Sequence, residues 1–137
     1  MPSKELAPGS SGTASRVVEE SDLASALSPD HGDSFPRVFS TARMVALMEM
    51  AAARAMKEVL EEGELTAGVS IDVTHTAATP PGAAVSAAAR FLGRAGKFYR
   101  FEVVARDEAG EIGRGTHERA VVSHRRLLEG AQKRRRP

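Results

Sequence analysis

The 137-residue chain has no cysteine, no tryptophan and a single tyrosine. Without a thiol there is no cysteine nucleophile, no disulfide framework and no thiolate metal site. Such a composition suits a reducing compartment, and a cytoplasmic location is expected. Aromatic residues amount to only 4% of the chain, so the stacking platforms of single-stranded nucleic-acid binders are missing, and Ala, Val, Leu and Met must supply most of the core. A surplus of one charge is also missing. The net charge is +1, too small to draw in a polyanion or a membrane surface. The one basic run, residues 133–136, reads as part of a solvated tail over 133–137. No apolar stretch approaches the roughly 20 residues of a membrane span, and residues 1–15 contain no apolar core of a signal peptide. Glycine fingerprints of phosphate or dinucleotide loops do not occur, nor does metal-ligand spacing.

The length fits one domain. Residues 1–14, rich in Pro, Ser and Gly, are expected to be disordered, with the folded domain over 15–132. A short strand is expected over 15–19, a helical turn over 21–26 and a loop over 28–34. Residues 42–62 contain MVALMEMAAARAM, a run of strong helix formers without Gly or Pro, apolar nearly all round and therefore expected to be buried on most faces. Thr41 can cap its start and Gly63 its end. Strands are expected over 67–77, 83–92, 97–106 and 112–123, joined as consecutive hairpins, and a short polar helix over 125–132. Helix and strands are segregated. The fold class is α+β, with an antiparallel sheet wrapped around one long central helix, which already sketches a hot-dog fold.

Three residues could carry chemistry. Glu49 is the only charged side chain between Arg43 and Arg54, and none of its neighbours three or four residues away on the helix is a cation. It either lies on a narrow wet strip or is a costly carboxylate kept for a purpose. His75 ends the alternation Val69, Ile71, Val73, His75, which turns it toward the face of the sheet that the helix should cover. It is either a satisfied core histidine or a partner for Glu49. Thr41, at a helix start, is either a plain cap or a hydroxyl beside free N–H groups that could hold a thioester carbonyl. A carboxylate, an imidazole and a hydroxyl suffice for thioester hydrolysis: an activated water attacks, or the carboxylate does.

The strings FPRVFSTARMVALMEMAAARAM, VTHTAATPPG and EIGRGTHERAVV, in unbroken order from Phe35 to Ser123, resemble the fluoroacetyl-CoA-specific thioesterase family of the hot-dog superfamily. The resemblance implies a catalytic set of Thr41, Glu49 and His75. It also implies that the Gly68 N–H holds the thioester carbonyl, that Arg119 lines the acyl pocket and that Phe35 lids it. Homodimers with active sites at the subunit interface, and no metal or organic cofactor beyond the CoA of the substrate, are implied as well. Gly32 stands where selective members place a second Phe, which implies a looser lid. The expected activity is hydrolysis of a short-chain acyl-CoA, with fluoroacetyl-CoA a candidate substrate and with Thr41 orienting Glu49 and the thioester. The alternatives are a hot-dog acyl-thioester dehydratase and a non-catalytic acyl-CoA binding protein. His117 is expected to be structural or exposed.

Overall fold

The computed structural model describes residues 5–135. Five strands form one antiparallel sheet: β1 (Ser11–Val17), β2 (Glu64–His75), β3 (Ala84–Ala95), β4 (Phe98–Asp107) and β5 (Gly110–Ser123). Their spatial order is β1-β3-β4-β5-β2. The sheet curls around one long helix, α1 (Thr41–Ala55), and α2 (His124–Lys133) closes the chain. This is the expected α+β arrangement. No described helix is long and apolar enough to cross a membrane.

The core follows from two periodicities. On α1 the buried residues are Met44, Leu47, Met48, Ala51, Ala52 and Ala55, one stripe spaced three and four apart. On β3 and β4 every second residue is buried, Val85 to Phe91 and Tyr99 to Ala105, as a half-covered sheet requires. Phe91 packs against Tyr99 and Phe101 with ring centroids 5.8 and 5.6 Å away, so the few aromatic residues are concentrated in the core.

Several expectations are corrected. Residues 5–14 are not without structure. Leu6 is buried, and β1 starts at Ser11 and pairs with β3 from Ser11↔Arg90 to Val17↔Ala84. The rest of the expected disordered segment, residues 1–4, lies outside the described residues. The basic tail is partly helical, since α2 ends at Lys133, and residues 136–137 lie outside the described range. The long helix stops at Ala55, and a 3₁₀ turn (Lys57–Val59) follows, so Gly63 shapes the turn into β2 at φ +85° instead of ending the helix. Only one stripe of α1 is buried. Met50 is 38% exposed on the other side. The strands are not all consecutive hairpins either. β2 pairs with β5, and residues 76–83 carry the chain across the end of the sheet to β3. Thr79 anchors that crossing: fully buried, it donates to Asp107 Oδ2 at 2.6 Å and its carbonyl accepts from the Phe39 N–H.

Candidate active site

The start of α1 is held by Ser40. Its side chain accepts from the Arg43 N–H, so Ser40 is the cap and Thr41 the first helical residue. Relieved of capping, the Thr41 hydroxyl lies 2.8 Å from His75 Nδ1 at the end of β2. His75 reaches α1 because alternation along the second half of β2 does turn Ile71, Val73 and His75 to the helix side. Val73 packs on the core, and His75 pairs with Gly113, whose missing Cβ makes room against Met44. His75 Nε2 is buried and has no hydrogen-bond partner among the described residues. Burial holds the His75 pKa below the ordinary histidine value, against a smaller opposing influence of the Ala77 backbone. Thr41 and His75 share a cleft with Pro36 and Ala77.

Glu49 is elsewhere. Eight residues along α1 from Thr41, it is displaced by about 12 Å. Its cleft is lined by Gly68, Val69, Ser70, Ile71 and His117, none of which lines the other. The carboxylate has a partner that no local reading of the helix could reveal: Arg119 Nη1 on β5 donates to Glu49 Oε1 at 3.2 Å. Glu49 therefore does not meet His75 within the chain, and the Thr41 hydroxyl lies against His75 instead of Glu49. The Glu49 side chain is 43% exposed and that of Arg119 only 8%.

A bulge in β2 explains Gly68. The register slips between Gly68 and Ser70, which shifts the alternation by one residue. Gly68, opposite Arg119, takes the helix-facing position, and Val69 is left 47% exposed. A Cβ on Gly68 would lie 2.5 Å from Glu49 Oε1, so a side chain there would displace the carboxylate from its present position.

Two further expectations are adjusted. Arg119 stands behind Glu49 and off the cleft wall. Its Nε and Nη2 are fixed by the Thr66 hydroxyl and carbonyl, both at 3.0 Å. Phe35 is 51% exposed and does not line the Thr41–His75 cleft, although its neighbour Pro36 does. His117, expected to be structural or exposed, is 2% exposed and lies on the wall of the Glu49 cleft. The signal for it was the alternation Gly113, Gly115, His117, Arg119, which puts the two basic side chains on one face of β5.

One sheet curled around one helix, with a hydroxyl–imidazole pair at the helix start and an arginine-bound carboxylate two turns on, defines a hot-dog acyl-CoA thioester hydrolase. Solved structures agree. A hot-dog-like protein from Thermanaerovibrio acidaminovorans shares the fold at 24% identity and a TM-score of 0.80, covering 95% of this chain and 93% of its own. The fluoroacetyl-CoA thioesterase FlK, solved as a variant in complex with acetyl-CoA, superimposes with a TM-score of 0.90 at 38% identity, over 96% of this chain and 100% of that one. The fluoroacetyl-CoA thioesterase of Streptantibioticus cattleyicolor is 50% identical over 95 residues, 69% of this chain and 68% of the relative. The profile described as fluoroacetyl-CoA-specific thioesterase matches residues 18–125, and the chain belongs to that family.

Proposed function

We propose that two copies of this chain pair about a two-fold axis, so that Thr41 and His75 of one protomer complete a site with Glu49, Gly68 and Arg119 of the other. Each such site hydrolyses a short-chain acyl-CoA, fluoroacetyl-CoA among the substrates, to the free acid and CoA. One observation carries this reading: the chemically competent groups lie in two clefts of one chain, and each cleft holds half of what thioester hydrolysis needs. A two-fold pairing brings unlike halves together twice. β2, the edge next to the Glu49 cleft, supports it by leaving Leu65, Val69 and Ile71 at 47%, 47% and 36% exposure. An open apolar edge of this kind calls for a covering strand.

In the completed site the thioester carbonyl carbon is attacked by a water that Glu49 deprotonates, or by Glu49 itself followed by water. A C–O bond forms, the C–S bond breaks, and one water is consumed overall. His75, held by Thr41, receives at Nε2 the proton taken from water and delivers it to the departing sulfur, so the ring ends as neutral as it began. The Gly68 N–H and the positive end of α1 stabilise the oxyanion. Phe35 closes over the acyl group, and with Gly32 behind it the lid admits acetyl and propionyl groups beside fluoroacetyl. The residues act without a metal or organic cofactor.

The test is thiol release from a panel of acyl-CoA esters, which the cysteine-free chain follows without background. Glu49→Gln and His75→Ala should each lower turnover by at least about a hundredfold. Refolding the two inactive variants together should restore about a quarter of wild-type turnover, because half of the dimers are mixed and each mixed dimer has one intact site. No recovery on mixing, with mixed dimers demonstrated by mass, would place the whole site in one chain.

A further inference from the structure

Behind the Glu49 carboxylate lies a line of buried groups that the reaction as written leaves unused. His117 is 2% exposed. Its Nδ1 is 2.7 Å from the Ser70 carbonyl oxygen and its Nε2 is 3.1 Å from Arg119 Nη1. A guanidinium only donates and a carbonyl only accepts. Nε2 must therefore offer its lone pair and Nδ1 must carry the proton, so the two contacts hold His117 neutral and in one tautomer.

The guanidinium of Arg119 is divided between two jobs. Thr66 takes Nε and Nη2. Nη1 donates to Glu49 Oε1 and to His117 Nε2. His117 is thus the second acceptor for the same nitrogen that holds the carboxylate, and it fixes the direction in which the other N–H points. Its own anchor, the Ser70 carbonyl, closes the β2 bulge whose first residue is Gly68. A Cβ on Gly68 would meet Glu49 Oε1, His117 Cε1 and Arg119 Nη1 at 2.5, 3.2 and 3.3 Å, so all of these groups converge on one glycine.

We propose that His117 is a positioning residue for the hydrolysis: acting through Arg119, it aims the Glu49 carboxylate, and through Ser70 it fixes the backbone turn that presents Gly68. The inference rests on the reading of Glu49 as a reacting group. The charged groups facing His117 are Arg119 and Glu118 on its own strand and Glu49 from α1; β2 presents the Ser70 carbonyl and β4 presents Phe101, neither of which titrates. Protonating His117 would remove the acceptor for Arg119 and set two cations against each other.

Two variants of equal length separate aiming from filling. His117→Gln can still accept from Arg119 through its amide oxygen. His117→Met fills the space and offers only a weak sulfur acceptor. The Gln variant should keep kcat within about threefold of wild type, and the Met variant should lose about ten- to a hundredfold, as expected for a hydrogen bond to a charged group. KM should stay within about threefold in both, because the lost interaction aims a reacting group instead of binding the ester. Melting temperatures are read beside them. Equal kcat in the two variants would overturn the proposal. His117→Asn adds a check that does not depend on them, since it keeps an N–H for Ser70 and removes the acceptor for Arg119. A tenfold loss supports the proposal, and wild-type kcat overturns it. Wild type and Glu49→Gln are assayed in parallel. A wild type that releases no thiol, or an unimpaired Glu49→Gln, would instead refute the reading of the site itself.

Discussion

At the scale of single residues, what matters is which polar groups are buried and what meets them. Glu49 is an isolated charge in the sequence and an arginine-bound one in the fold, because its partner lies 70 residues away. His75 and His117 are both drawn below the ordinary histidine pKa, and burial is the first cause in each. For His117 the nearby Arg119 charge adds to this, while the Ser70 carbonyl, Glu49 and Glu118 oppose it. The unfolded chain, with these groups near pKa 6.5, then binds more protons than the native one as the pH falls. Stability from the two histidines is complete above that value and is lost as the pH drops toward their folded pKa values. Thermal melting should therefore be flat between about pH 7 and 8 and decline from about pH 6.5 toward 5. Replacing His117 by Gln should flatten the decline, and an unchanged slope would count against a neutral buried His117.

At the scale of elements, small residues let pieces of backbone meet. β1 crosses α1 so closely that a Cβ on Gly12 would run into the Ala51 carbonyl and lie 2.7 Å from the Ala55 nitrogen. Both obstacles are helix backbone and have no side chain that could swing away. Gly12→Ala should therefore destabilise the fold by about 2 kcal/mol or more, as overpacking does, read as a lower urea midpoint. Among the described residues, nothing lies within 4 Å of a would-be Cβ on Gly130 of α2, and Gly130→Ala should be neutral or raise stability by up to about 1 kcal/mol. Equal effects would refute the close crossing. The same logic operates in β2, where the bulge at Gly68 was invisible to simple alternation. That rule put Val69 inside, and the one-residue slip turned it out.

At the scale of the whole molecule, the question is how a chain works whose Thr41–His75 pair and Glu49 lie in separate clefts. Val69 and Ile71 of β2 line the Glu49 cleft, and Leu65 and Met50 line another cleft between α1 and β2, so exposed apolar side chains and the carboxylate share one side of the molecule. If the proposed dimer forms through this surface, Val69→Lys should yield a folded monomer with an unchanged circular dichroism spectrum, and turnover should fall at least about a hundredfold. A monomer that still turns over would show that one chain is a complete enzyme.

The amino-acid sequence on its own determined the class of fold, the helix and the four long strands, and it supplied a short list of candidate residues. These follow from local rules: helix propensity, the periods of 2 and 3.6, and the rarity of an unpaired charge in an apolar run. The strings around Thr41, His75 and Arg119 carried the family. Only the tertiary structure decided the rest. It extended the short strand expected at 15–19 back to Ser11, into a segment that reads as tail, because pairing with β3 supplies the hydrogen bonds that its composition does not predict. It moved the cap from Thr41 to Ser40 and so released the hydroxyl to His75. It gave Glu49 to Arg119 and His117 to both Arg119 and Ser70. It also kept Thr41 and His75 apart from Glu49, because eight residues of a rigid helix set their separation.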